Sequence, residues 1–445
     1  MAAGLTYCLT PVVRAVALRI GAVDRPGGRK MHAIATPTLG GLALFFGFIG
    51  GLGLSSLLFP ELFVSSEAAG IAIGASLMVG IGIVDDLKGL SAPVKLAGQI
   101  LAATTMTLAG VQVLFFWLPS VGPLDEGVIS LAPELGIPIT VLLVIVTVNA
   151  INLVDGLDGL AAGLVAIGAM AYFVYSYRTG ATGLIAQDSP APLLSALLFG
   201  ICAGFLPHNF NPARIFMGDT GSMLLGTLLA GATITGIGRT TQPQAGDQFA
   251  LLIPVAIPIL VLALPFLDTL LAVGRRMRSG AGIMTADKQH LHHRLLEIGH
   301  SHRRAVLILY AWSALLAGSV VALSFTGPRR VLPFFLVVVA CGVFGLLSPR
   351  WRRGPAACGG YRSATAYSRW LLKLAARTVP RPPLAVTAST SCPPAPGVRS
   401  RPDQAPDRKM ATNGCWRKSR KATNTTPWEV VTRGSTPGVA NWRPR

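Results

Sequence analysis

Apolar stretches that are long enough to cross a lipid bilayer recur along this 445-residue chain. A helix needs about 20 consecutive apolar residues to span the hydrocarbon core of a bilayer. Eleven such stretches can be delimited, at residues 2–22, 39–59, 68–86, 93–117, 137–154, 159–177, 192–210, 220–238, 249–273, 304–325 and 331–348. Backbone polar groups in lipid must be satisfied within each segment, which favours helices. We therefore predict an all-α, polytopic membrane protein with about eleven transmembrane helices.

Composition agrees with a membrane protein, since 51% of the residues are hydrophobic and only 13% are charged. The net charge of +19 is unevenly distributed: residues 1–349 contribute +3, and residues 350–445 contribute +16. The basic excess therefore belongs to the tail and gives no reason to expect nucleic-acid binding. None of the six cysteines has C-x-x-C spacing, which argues against a zinc knuckle. We predict a transmembrane domain at 1–348 and a disordered basic tail, rich in Pro, Ser, Thr and Arg, at 349–445.

The loops predict the orientation. If the tail is cytoplasmic, the inside loops hold thirteen Lys and Arg residues and the outside loops hold four. The positive-inside rule then places the N-terminus outside, in a multi-pass protein of the plasma or inner membrane. The polar clusters described below all fall in the predicted inside loops, so we expect one cytoplasmic active site.

Two adjacent carboxylates, Asp85 and Asp86, close the third apolar stretch. Acids in or beside a membrane segment are rare, and a pair of them is typical of a base, a nucleophile or a group near a metal. The alternative interpretation is a polar patch that anchors a helix end at the membrane interface.

Four amide or carboxylate side chains recur at every third residue where the fifth stretch ends: Asn149, Asn152, Asp155 and Asp158. Consecutive members lie near one face of a helix. Oxygen ligands of this kind suit a hard cation such as Mg²⁺. Asp158 alone could instead cap the following helix.

A further acid, Asp219, follows Arg214 and stands where the eighth helix should begin. Alone it would be an ordinary N-cap, although an acid there can also hold a metal whose other ligands are phosphate oxygens.

Two basic clusters are candidate phosphate sites. The first lies in a Gly- and Pro-rich segment and contains Arg29, Lys30 and His32, which positive-inside flanking also explains. The second consists of His290, His292, His293 and Arg294. Its neighbours are cations and no cysteine is near, so phosphate or pyrophosphate binding is favoured over zinc.

The ordered motifs D-R-P-x-x-R-K-x-H, D-D, N-x-x-N-x-x-D-G-x-D-G-L, F-M-G-D-x-G-S and H-L-H-H-R resemble those of the polyprenyl-phosphate N-acetylhexosamine-1-phosphate transferases. The resemblance covers residues 1 to about 348 and is closest to the branch that uses UDP-GlcNAc. It implies Mg²⁺-dependent transfer of GlcNAc-1-phosphate from UDP-GlcNAc to a membrane polyprenyl phosphate (undecaprenyl or decaprenyl), with release of UMP.

The resemblance also implies residue roles. Asn152 and Asp219 would be magnesium ligands. Asp85, Asp86, Asp155 and Asp158 would be catalytic, the first two acting on the lipid phosphate as base or, in a two-step scheme, as nucleophile. Substrate and phosphate contacts would come from Arg29, Lys30, His32, Asn149, Arg214, His290, His292, His293 and Arg294.

Three questions stay open at this point. The sister reaction with UDP-MurNAc-pentapeptide is one alternative activity. A secondary transporter is an alternative of another class, although transporters usually place their polar groups near the bilayer midplane. Homodimerisation is also compatible with the sequence.

Overall fold

The computed structural model describes residues 1–24, 35–59, 65–118, 127–181, 189–237, 256–263 and 301–326, with isolated helical positions between 333 and 340. The long helices are α1 (Ala2–Ile20), α2 (Gly41–Leu58), α3 (Ser66–Lys88), α4 (Ala92–Leu108), α5 (Pro133–Val154), α6 (Leu160–Ala181), α7 (Ala191–Asn209), α8 (Gly218–Thr235) and α9 (His302–Thr326). Residues 256–263 are also helical. The mostly helical fold class is therefore confirmed.

Seven of the described helices are long and apolar enough to cross a membrane: Ala2–Ile20, Gly41–Leu58, Ser66–Lys88, Pro133–Val154, Leu160–Ala181, Ala191–Asn209 and His302–Phe325. Each matches a predicted stretch. Of the other predicted stretches, 249–273 is described only in part, and 331–348 and the tail lie outside the described residues apart from isolated positions. The total of eleven spans and the outside N-terminus stay predictions.

The prediction of one helix over 93–117 is wrong. Helix α4 ends at Leu108, and the chain turns at Gly110, whose φ of 102° is a conformation that favours glycine. Strand β3 (Phe115–Leu118) then pairs antiparallel with strand β4 (Gly127–Ser130). Apolar content alone does not distinguish a strand rich in aromatic residues from the continuation of a helix.

A second short antiparallel pair holds the chain between α1 and α2. Strand β1 (Val23–Asp24) pairs with strand β2 (Thr36–Pro37) in the register Val23↔Pro37 and Asp24↔Thr36. The pair therefore brings the two ends of segment 25–34 together, although the segment itself lies outside the described residues.

Helix α8 is the centre of the bundle. Every residue from Thr220 to Thr235 is buried, and the helix packs against α2, α3, α5, α6 and α7. Its buried hydroxyls bond to carbonyls one turn earlier: the Thr227 hydroxyl donates to Met223 O at 2.8 Å and the Thr233 hydroxyl to Leu229 O at 2.7 Å. A helix that carries several hydroxyl side chains can therefore be buried on all sides while those hydroxyls stay hydrogen-bonded.

Glycines allow the neighbours of α8 to approach it closely. A Cβ atom on Gly82 of α3 would lie 2.4 Å from the Thr220 Cα, and one on Gly226 would lie 2.5 Å from the Val148 Cα of α5. Small residues at such crossings are typical of helix packing in membranes. This contact places the ends of α3 and α5 beside the start of α8.

Candidate active site

Four helix ends meet at one end of the bundle: the ends of α3 and α5 and the starts of α4 and α8. Each contributes a polar side chain, namely Asp85, Asn152, Lys95 and Asp219 respectively. Because successive helices from α3 to α8 alternate in direction, the ends of α3, α5 and α7 and the starts of α4, α6 and α8 share a face. The structure thus brings together residues that lie up to 134 positions apart in sequence.

Lys95 lies between two carboxylates. Its Nζ is 2.8 Å from Asp85 Oδ2 and 2.7 Å from Asp219 Oδ2. The Asp219 side chain is 35% exposed and that of Asp85 only 9%, so Asp219 is the more accessible of the two to a bound molecule. The shared ammonium offsets the repulsion that the two acids would otherwise feel.

Asn152, in the last turn of α5, orients Asp219. Its Nδ2 donates to Asp219 Oδ1 at 2.5 Å and to the Ser222 hydroxyl oxygen at 2.9 Å. One turn earlier, Asn149 Nδ2 donates to Gln99 Oε1 at 2.8 Å, and Gln99 Nε2 contacts Met223 Sδ at 3.5 Å. These amides join α4, α5 and α8 around Asp219.

Asp86 contacts the backbone at the start of α8. Its Oδ1 accepts from the Asp219 N–H at 2.8 Å, and its Oδ2 accepts from the Thr220 N–H at 3.1 Å and the Thr220 hydroxyl at 2.6 Å. The two adjacent acids therefore have different partners, because Asp85 bonds to Lys95 Nζ and to the Leu90 N–H at 2.7 Å.

Asp155 immediately follows α5 and is half-buried. Burial, together with the negative charges of Asp219, Asp86 and Asp158, raises its pKa from 3.8 to about 7. In these surroundings the negative charge of Asp155 is unfavourable, so a bound proton or a nearby cation stabilises the group.

Asp158 holds the loop between α7 and α8. Its Oδ2 accepts from Asn211 Nδ2 at 2.9 Å and from the Ala213 N–H at 3.1 Å. Two arginines from other helices donate to the same loop, Arg14 Nε to Arg214 O at 3.0 Å and Arg303 Nε to Asn211 O at 2.7 Å. The Arg214 side chain itself is exposed. Asp158 and the two arginines therefore hold in place the loop that leads into α8.

Seven residues predicted for phosphate binding lie outside the described residues: Arg29, Lys30, His32, His290, His292, His293 and Arg294. Lys95 and Gln99 are site residues that the sequence reasoning missed. In the sequence, Lys95 is one of the thirteen basic residues of the predicted inside loops. The signal that could have identified both is their spacing of four on an apolar helix, which puts them on one face.

The described residues fit a hard divalent cation. Asp85, Asp86, Asp155 and Asp219 carry up to four negative charges against one from Lys95, and oxygen donors of carboxylates and amides are those that Mg²⁺ prefers. Within the described ranges no three His, Cys, Asp or Glu side chains form a ready-made cage. An ion at Asp219 would therefore take further ligands from bound phosphate oxygens or water.

The chain is similar to known proteins. The sequence model described as "Glycosyl transferase family 4" matches residues 68–237, which run from α3 to α8. The chain is 43% identical to decaprenyl-phosphate N-acetylglucosaminephosphotransferase of Mycobacterium tuberculosis, over 79% of this chain and 88% of that protein. The chain belongs to glycosyl transferase family 4.

Further members of glycosyl transferase family 4 are similar to this chain. The enzyme of the same name from Mycolicibacterium smegmatis is 42% identical over 80% of this chain and 88% of its own length. A probable undecaprenyl-phosphate N-acetylglucosaminyl 1-phosphate transferase of Bacillus subtilis is 36% identical over 68% and 77%. Membership of the family makes this chain a membrane transferase and argues against the secondary transporter.

Proposed function

We propose that this protein transfers GlcNAc-1-phosphate from UDP-GlcNAc to a polyprenyl phosphate, with Mg²⁺ and with release of UMP. The observation that carries the proposal is the meeting of Asp85, Lys95, Asn152 and Asp219 at one end of the bundle, in a chain 43% identical to a transferase of that name. The reaction would be the first step of a lipid-linked cell-envelope glycan, at the cytoplasmic face of the cell membrane.

The proposed reaction exchanges one phosphoryl bond for another. An oxygen of the lipid phosphate forms a bond to the sugar-linked phosphorus, and the bond between that phosphorus and the bridging oxygen of UMP breaks. Both substrates are anionic, so the protein must position them in line and neutralise their charge.

The carboxylate and amide side chains have distinct proposed roles. Asp219 and Asn152 would hold Mg²⁺, which when bound would supply positive charge to the diphosphate. Asp85 acts as base towards a protonated lipid phosphate. Lys95, which contacts Asp85 and Asp219, is placed to exchange a carboxylate for a phosphate oxygen.

The other candidates hold the substrates in place. Asp158 fixes the loop that leads to α8 through Asn211 and Ala213. Asp155, beside the other acids, adds to the negative field that attracts a cation. The histidine and arginine residues between 290 and 294 are proposed to hold the diphosphate and the departing UMP.

The test is an assay with membranes that contain the full-length protein, polyprenyl phosphate and labelled UDP-GlcNAc. We expect formation of the lipid-linked product and release of UMP with Mg²⁺, and neither after chelation. Absence of UMP release with Mg²⁺ present would refute the proposal. UDP-MurNAc-pentapeptide supplied in parallel decides between the two donors, since preference for the peptide donor would favour the sister reaction.

Asp219→Ala should abolish turnover while the protein stays in the membrane. The substitution removes a proposed metal ligand, and loss of even an outer partner of such a ligand costs about 10–100-fold. Wild-type turnover by this variant, at wild-type protein level, would contradict the proposed site.

A further inference from the structure

The start of helix α8 receives no side-chain cap from its own chain segment. The first N–H groups of a helix have no partner within the helix and need an acceptor. Met217 occupies the N-cap position, and its side chain provides none. The missing acceptor comes instead from α3, through Asp86.

Asp86 satisfies three donors of one turn. Both of its oxygens are used, Oδ1 by the Asp219 N–H and Oδ2 by the Thr220 N–H and hydroxyl, at 2.6 to 3.1 Å. A carboxylate at this position is also favoured by the positive end of the helix dipole. The N–H of Asp219 itself is one of the three donors. Asp86 therefore fixes the backbone position from which the Asp219 side chain extends.

The surrounding backbone has glycine at two positions where a side chain would block this contact. Gly218 has a φ of 70°, and a Cβ atom there would lie 2.5 Å from Asp86 Oδ2. Gly82 lies one turn before Asp86 on the same face of α3, and a Cβ atom there would lie 2.4 Å from the Thr220 Cα. Two glycines therefore allow the carboxylate to reach the helix start.

Asp85 also accepts from a backbone N–H, that of Leu90, but its other partner is a side chain. Its Oδ2 bonds to the end of a flexible lysine side chain, which can move away without any change in the backbone. If Asp86 were to act as base or nucleophile, it would have to release the N–H groups that position Asp219. Asp85 can meet a substrate after a single side-chain movement.

We infer that Asp86 is a positioning residue that caps α8 from α3 and so fixes Asp219, and that Asp85 is the acid of the pair that meets the lipid phosphate. The assignment of Asp85 rests on the proposed function. The capping role of Asp86 does not depend on it, because it concerns contacts within the protein.

Hydrogen exchange in the full-length protein, purified in detergent, tests the capping role. We expect Asp86→Asn to accelerate amide exchange at 218–222 about tenfold or more, since an amide cannot accept all three bonds. Thr220→Val removes only the hydroxyl and should have a smaller effect. Asp85→Asn is the matched control and should leave exchange in this segment unchanged. Unchanged exchange in Asp86→Asn would overturn the inference.

Mn²⁺ binding and turnover test the division of roles. Asp86→Asn should weaken Mn²⁺ binding, measured by electron paramagnetic resonance, and its residual turnover should rise with added Mg²⁺. Asp85→Asn should raise the KM for the lipid phosphate, and added Mg²⁺ should not restore its turnover. Rescue of Asp85→Asn by Mg²⁺, without rescue of Asp86→Asn, would overturn the assignment. If the wild-type protein turned over neither donor, the proposed function would fail, and the exchange experiment would still decide the capping role.

Discussion

Among the residues that the structure describes, Lys95 supplies the positive charge that contacts both Asp85 and Asp219. Without it, two carboxylates at hydrogen-bonding distance from one point would repel each other and disfavour the native arrangement. Lys95 therefore stabilises the site before any substrate or ion is bound, and it stands where a cation or an anionic substrate must be accommodated.

Lys95→Met should lower the apparent melting temperature of the protein by several degrees in the presence of a chelator. The two acids then lose their shared counter-charge, which for partly buried pairs is worth about 1–3 kcal/mol. Added Mg²⁺ should restore part of the loss, as measured by thermal unfolding in detergent. Lys95→Arg keeps the charge and is the control. Equal melting temperatures of the Met variant and the wild type would contradict this account.

The raised pKa of Asp155 predicts that the stability of the folded protein depends on pH. Its pKa is raised from 3.8 to about 7, so the folded protein binds the proton more tightly than the unfolded chain. The corresponding stability is fully present below about pH 4 and is lost as the pH rises through about 7. Asp155→Asn should therefore reduce the fall in melting temperature between pH 5 and pH 8 in chelator. An identical fall in variant and wild type would argue against the raised pKa.

At the scale of the helix, two glycines of α3 have opposite surroundings. A Cβ atom on Gly82 would meet the Thr220 backbone at 2.4 Å, whereas one on Gly80 would have nothing within 4 Å. Comparing alanine substitutions at the two positions therefore distinguishes the effect of glycine on helix packing from its low helix propensity.

Gly82→Ala should destabilise the protein by about 1–3 kcal/mol, because α3 and α8 must separate to admit the methyl group. Gly80→Ala in the same helix should be neutral or stabilising by up to about 1 kcal/mol, since alanine is the better helix former. Thermal unfolding of the two variants side by side measures the contrast, and equal effects would show that the close helix contact is not present.

Sequence patterns predicted most helices of the bundle, because apolar length is a local property. They failed after Leu108, where the turn at Gly110 ends α4. They also identified Asp85, Asp86, Asn152 and Asp219 as polar groups at helix ends. The different partners of Asp85 and Asp86 could not be predicted, since they depend on how closely α3 approaches α8.

At the scale of the whole molecule, the site elements share one end of the bundle. The ends of α3, α5 and α7 and the starts of α4, α6 and α8 contribute contacts there, as the alternation of antiparallel helices requires. The charge distribution of the loops predicts that this end faces the cytoplasm.

Single cysteines at Lys88 and Gly156 should be labelled by a membrane-impermeant maleimide in inverted vesicles and not in intact cells. Both positions are exposed. Lys88 is the last residue of α3, and Gly156 is the second residue after α5. A background in which all six native cysteines are replaced removes their own reaction. Labelling of the two positions from opposite sides would exclude a common site.

Helix α4 has two different sides. Lys95 and Gln99 point towards the acids and amides of the site, while Val94, Leu96, Ile100 and Leu101 are 42–60% exposed on its outer surface. Among the described residues, a single helix about 10 Å across thus separates this apolar surface from the carboxylates. Under the proposed function, a greasy acceptor would enter sideways, keeping its tail among the acyl chains while its charged head reaches the site.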